Sequence, residues 1–138
     1  MGRILNVLYI NQFESISMKY IILFFSLPLL FHGEDSIEWI TPIEHDFGDI
    51  IHQEPAEFHF EFKNTSSDPI LIDNVRTTCG CTTPDWSWDP IPPDSTSQIK
   101  VIFDAKKTGY FKKKIKVYFS NQRKGTILKI MGYVESID

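Results

Sequence analysis

The chain has 138 residues, 42% of them hydrophobic and 23% charged, and a formal net charge of −4. That length suits one domain around a single core, and a net negative chain whose positive charge lies on strands is a poor nucleic-acid binder. Charge is also split along it: Glu34 to Ile99 holds fourteen acidic and two basic side chains (net −12), whereas Lys100 to Asp138 holds ten basic and three acidic (net +7). The two portions are expected to lie side by side and neutralise each other's field.

In chain order, Met18, Lys19 and Tyr20 lead into an eleven-residue apolar run, Ile21 to Phe31, followed by polar His32, Gly33, Glu34 and Asp35. This is the form of a secretory signal peptide. The run is shorter than the roughly 20 apolar residues that a spanning helix needs, so membrane attachment is expected only if this segment stays uncleaved. Residues 1–33 are read as leader and signal peptide, with Met18 as the natural start. Residues 34–138 are read as one domain, exported to the periplasm, the cell envelope or the medium.

Within that domain the clearest pattern is "AEFHFEFK", where Phe58, Phe60 and Phe62 alternate with Glu57, His59, Glu61 and Lys63. A period of two with one apolar and one charged face predicts a half-buried strand. "PILIDNV" is rich in β-branched residues and predicts another. "QIKVIFD" places Ile99, Val101 and Phe103 on one face, and "KKKIKVYFS" places Ile115, Val117 and Phe119 opposite Lys114, Lys116 and Tyr118. "TILKIMGYV" closes the series. The turn clusters "NTSSDP", "DPIPPDST", "KKTG" and "SNQRKG" punctuate these runs, and no window has helical period. The pattern predicts an all-β, immunoglobulin-like antiparallel sandwich of about seven strands and excludes an α/β enzyme fold. The inter-sheet disulfide of antibody domains is excluded too, because Cys79 and Cys81 are only two positions apart.

Several segments, in this order, resemble a bacterial family, the domain of unknown function 1573. They are "HDFGDI" (His45 to Ile50), "FHFEFKNT" (Phe58 to Thr65), "PILIDNVRTTCGCTTPDWS" (Pro69 to Ser87), "IKVIFDAKKTGYFKKKIKVYFSN" (Ile99 to Asn121) and "LKIMGYV". The resemblance covers nearly all of residues 34–138. It implies an exported immunoglobulin-like domain, akin to major-sperm-protein and Hydin-type domains, with no assigned activity. One departure is Pro92-Pro93-Asp94, where the family usually has Pro-Gly; Pro followed by Asp still suits a turn.

The candidate chemistry centres on Cys79 and Cys81. On an extended strand their Cα atoms would lie about 6.5 to 7 Å apart, at or beyond the reach of a disulfide, unless Gly80 permits a tight turn. Three readings are open: small buried side chains packed near Trp86 or Trp88, a disulfide formed in an oxidising compartment, or a thiol or metal site. A metal needs further ligands. His45, His52 and His59 recur every seven residues, a spacing that puts neighbours on opposite strand faces, and His59 is the third metal candidate beside the two cysteines. Blue-copper sandwiches bring cysteine, histidine and methionine together on one loop; here no histidine follows Cys81, and Met131 falls in a strand.

No nucleophile-and-base motif and no Gly-rich loop opening a helix occurs. Glu44, Asp46 and Asp49 read as exposed acids flanking a strand turn, and Asn64-Thr65-Ser66 as a chance glycosylation sequon. Trp86 and Trp88, at period two, share a face that suits a stacking platform. The sequence therefore predicts a non-enzymatic domain without cofactor that binds or packs against an envelope protein or component. The alternatives are a thiol or metal site at Cys79 and Cys81, and a glycan-binding module using Trp86 and Trp88.

Overall fold

The computed structural model describes residues 36–136. The leader and signal peptide expected over residues 1–33 lie outside the described residues. Eight strands follow one another: β1 (Ile37–Trp39), β2 (Glu44–Ile51), β3 (Ala56–Asn64), β4 (Ile72–Thr77), β5 (Thr82–Trp86), β6 (Thr96–Phe103), β7 (Gly109–Phe119) and β8 (Thr126–Glu135). They form two four-stranded sheets, in the orders β1-β3-β6-β5 and β2-β8-β7-β4. No helix occurs among the described residues.

Alternation along the strands builds the core. β3 and β6 pair antiparallel, with Phe58 opposite Val101 and Phe60 opposite Ile99. From this sheet Phe60, Phe62, Ile99, Val101 and Phe103 turn inward, to meet Phe111, Ile115, Val117 and Phe119 of β7 and Leu128, Ile130 and Val134 of β8. Aromatic contacts bridge the sheets: Phe103 stacks on Phe111 at 3.9 Å between ring centroids, and Phe62 meets Phe119 edge-on at 5.1 Å. Phe58 is the one residue of the expected core that is only partly buried. It closes the rim of the sandwich by stacking on His45 at 3.6 Å.

Two features depart from an antiparallel sandwich of about seven strands. An eighth strand is present, and β2 runs parallel to β8. Residues 40–43 carry the chain from the first sheet to the second, so β2 enters beside the final strand in the same direction. The two strands are joined through the rest of the domain, which supplies the long crossover that a parallel pair requires.

β2 is also bulged between Asp46 and Asp49. Gly48 takes a φ of +66° there, and its N–H donates to Asp46 Oδ1 at 2.9 Å. The bulge presses on β8, where a Cβ at Gly132 would lie 2.8 Å from the Gly48 carbonyl oxygen and 2.9 Å from the Phe111 ring. Glycine is thus required at one position by backbone conformation and at the other by close approach.

Candidate functional site

The link between β4 and β5 contains the cysteine pair. Cys79 and Cys81 are joined by a disulfide with their Cα atoms 5.3 Å apart, because residues 78–81 bend and turn rather than extend. Gly80 needs no left-handed conformation to allow this, and the space around its missing Cβ is open. The expected role of glycine as the release for an overlong span is therefore not what shortens it.

The bridge is embedded in specific contacts. Thr77 Oγ1 donates to the Cys79 carbonyl at 3.0 Å, and the Asp104 N–H donates to the Cys81 carbonyl at 3.1 Å, tying the turn to the end of β6. Thr82, one of two buried polar side chains among the described residues, places its hydroxyl 3.7 Å from Cys79 Sγ and 3.8 Å from Cys81 Sγ. Bridged sulfurs carry no proton, so this hydroxyl is the donor. Cys81 also forms part of the wall of a cleft of about 310 Å³, together with Phe103, Phe111, Lys106, Lys107 and Lys113.

Trp86 and Trp88 separate in environment. Trp86 packs partly buried against the core, with its indole N–H buried and unpartnered among the described residues. Trp88 is 72% exposed. Their rings meet at 5.0 Å with planes 44° apart, so they form a wedge with one open face, not a flat two-ring platform.

The histidines do not converge. His59 lies on the outer face of β3 with Nε2 3.7 Å from Glu57 Oε1. His52 pairs its Nε2 with the Lys106 carbonyl at 3.1 Å. His45 stacks on Phe58 and stands edge-on to Phe47, and burial holds its pKa below the usual histidine value, against an opposing pull from Asp46. Among the described residues no three histidine, cysteine or acidic side chains gather into a metal-binding group.

The three acids of the β2 region have local partners or open surroundings. Glu44 pairs with Lys129, which, with Lys112 nearby, holds its carboxyl below the usual range. Asp46 caps the bulge. Asp49 sits opposite Tyr133 in the parallel register.

Asn64 has a role that the sequence did not disclose. It is fully buried; its amide donates to the carbonyls of Asp68 and Ile91 at 2.9 Å each, and its Oδ1 accepts from Ser66 N–H at 2.9 Å and Ser66 Oγ at 2.7 Å. The "NTSSDP" turn is built around this side chain, and a glycan at the sequon would displace it. An asparagine at the end of a strand, followed two residues later by serine, was the available signal.

The outer faces of the two sheets differ. On the first, Glu57 bonds Lys100 at 2.8 Å, which holds the Glu57 carboxyl below its usual range, and Lys63 bonds Asp94 at 2.9 Å. On the second, Lys112, Lys114 and Lys116 of β7 stand exposed beside Met131, Lys129 and Ile127 of β8, and Arg76 lies opposite Lys116. Tyr110 and Tyr133 pair at one end and are exposed. At the other, Arg76 and Lys116 both approach the Tyr118 ring, at 5.3 and 5.1 Å. The acidic and basic portions of the chain do meet, through Glu44–Lys129 and Glu57–Lys100. No ion pair engages Arg76, Lys112, Lys114 or Lys116 among the described residues.

Fold and site together define an all-β, immunoglobulin-like sandwich with a bridged Cys-Gly-Cys turn at one end and a cationic, aromatic face on one sheet. The chain belongs to the family described as protein of unknown function (DUF1573), whose profile matches residues 38–134. No curated protein matches it. Among solved structures it is similar to a protein of unknown function from Porphyromonas gingivalis W83 (TM-score 0.61, 16% identity, 70% of this chain and 46% of that one). It is also similar to the ASH / PapD-like domain 7 of human CEP192 (TM-score 0.63, 9% identity, 75% and 87%). A third likeness is to the VesB protease of Vibrio cholerae (TM-score 0.51, 6% identity, 73% and 32%). The chain thus spans about half of the Porphyromonas protein and a third of VesB. At these identities the likeness is one of fold.

Proposed function

We propose that the chain is an exported, non-catalytic binding module whose outer β4-β7-β8 face docks an acidic protein surface. The observation that carries this is the row of exposed cations on β7, Lys112, Lys114 and Lys116, without ion-pair partners among the described residues and flanked by exposed Tyr110, Tyr133 and Ile127. Cross-strand neighbours lie about 5 Å apart, and successive residues on one face about 7 Å. The face therefore alternates charge with apolar surface over short distances, as a polypeptide partner would when it presents carboxylates among apolar side chains. Tyrosine and arginine are favoured at such interfaces. Export rests on the apolar run before residue 34.

The test is a titration of isotopically labelled protein with a tyrosine-containing poly-glutamate peptide, followed by amide chemical shifts. Shifts confined to β7, β8 and Arg76, weakened by salt and abolished by Lys112→Glu/Lys114→Glu/Lys116→Glu, are expected. Shifts that spread over the β3-β6 face, or that survive the triple substitution, would refute the docking face.

A further inference from the structure

The cysteine bridge is not used by that binding reading, and its surroundings resemble those of a reacting group more than those of a staple. A ring closed across one intervening residue restricts the unfolded chain very little. Yet the bridge has a buried hydroxyl within 3.8 Å of both sulfurs, and Cys81 opens on a cleft lined by three lysines and Asp104, whereas Cys79 is not part of the lining. Lys106 is paired with Asp104 at 3.4 Å. Lys107 and Lys113 have no ion pair among the described residues. Lys113 also falls on the core-facing side of β7, between Phe111 and Ile115 in the alternation, and lines the cleft.

From this arrangement we infer that Cys79–Cys81 is a thiol–disulfide exchange site, with Cys81 the attacked sulfur and an acidic dithiol as the reductant. A thiolate of the reductant, drawn into the cleft by Lys107 and Lys113, attacks Cys81 Sγ. The Cys79–Cys81 bond breaks with its electron pair left on Cys79 Sγ, and a mixed disulfide forms at Cys81. The Thr82 hydroxyl, already 3.7 Å from Cys79 Sγ, donates to the departing thiolate, and a better-stabilised leaving thiolate departs faster. The second thiolate of the reductant then attacks its own partner sulfur, and Cys81 leaves as a thiolate held by the same lysines. Two electrons pass to the protein, the two thiol protons of the reductant end on Cys79 and Cys81, and the reductant becomes a disulfide. Run in reverse, the same steps oxidise a partner dithiol.

The test measures the rate of bridge reduction in the folded protein by two monothiols of opposite charge, anionic glutathione and cationic cysteamine, read by alkylation and intact mass; with monothiols a second molecule completes the exchange. Replacing two nearby cations changes the local concentration of an anion severalfold at low salt. Lys107→Gln/Lys113→Gln should therefore slow glutathione by roughly three-fold or more and leave cysteamine unchanged or faster. Thr82→Val, close in shape, should slow both thiols. Because Lys107 is exposed, Lys107→Gln alone gives the same charge-selective shift, at smaller size, if the double variant folds poorly. A glutathione-to-cysteamine rate ratio unmoved by either lysine, or a bridge that excess dithiothreitol does not open while the chain is folded, would overturn the inference.

Discussion

Removal of the Asn64 side chain is the sharpest stability test of the fold. Asn64→Ala deletes four hydrogen bonds at a fully buried position, and at a net value of about 1 kcal/mol each the ceiling is about 4 kcal/mol. The environment softens that loss, because the Ile91 carbonyl still accepts from Ile70 N–H at 3.0 Å, and the one Ser66 hydroxyl proton, released from Oδ1, goes to the Asp68 carbonyl at 2.9 Å. Only the Ser66 N–H is stripped of its partner. The main-chain bonds that join Asn64 to Ser95 and Asp94 are unaffected by the substitution. The expected cost is then about 2 to 3 kcal/mol, or a fall in Tm of roughly 10 to 20 °C for a domain of about 100 residues.

Urea melts with an unchanged slope would report it. Asn64→Asp keeps the shape and removes both donors, so that a carboxyl faces the carbonyls of Asp68 and Ile91. Burial raises the pKa of such a carboxyl in the folded state. The variant should be most stable below the unfolded carboxyl value near about 4, and lose stability as pH rises through the raised folded value. A cost below about 1 kcal/mol for Asn64→Ala, or an Asn64→Asp variant as stable as wild type at pH 7, would refute the view that this side chain organises the turn.

Other expectations follow from the same geometry. Gly132→Ala drives a methyl into the Gly48 carbonyl and the Phe111 ring, and should cost about 1 to 3 kcal/mol in denaturant melts, whereas Gly80→Ala should stay within about 0.5 kcal/mol and keep the bridge. Phe60→Ala, at a fully buried position, should cost about 3 to 5 kcal/mol, and Glu61→Ala on the outer face should change stability by less than about 0.5 kcal/mol; equal losses would mean that the register of β3 is wrong. Because burial lowers the pKa of His45, the unfolded chain takes up its proton first as pH falls below about 6.5, so stability present above that value is lost on acidification. Melts between pH 7.5 and 5.5 should show that loss shrinking in His45→Phe, and an identical slope in both proteins would exclude His45 as its source.

What the sequence determined by itself was local. A strand writes its inner and outer faces into every second residue, so Phe60, Ile99, Val117 and their neighbours were legible as a core, and β3, β4, β6, β7 and β8 as strands. β1 is only three residues long and β5 begins at the cysteine turn with a proline inside it, so neither carries enough alternation to be read as a period. β2 is interrupted by its bulge, which breaks the period in the middle. The motif "HDFGDI" was visible as a family feature, but its partner strand was not, because pairing direction depends on which distant segment the strand meets.

The same holds for the sites. Adjacency of Cys79 and Cys81 was plain, and so were three lysines in a row on one strand. Thr82 meets both sulfurs through the local turn, being next to Cys81 in the chain, but only tertiary structure turned Lys113 toward a cleft that Cys81 shares. It alone stacked His45 on Phe58 from the opposite sheet and wrapped a turn around Asn64 through a carbonyl 27 residues away. Alternation is a property of one strand and survives in the order of its residues. Contact between strands is fixed by how two sheets pack, and burial across that interface is what gives these side chains their chemistry.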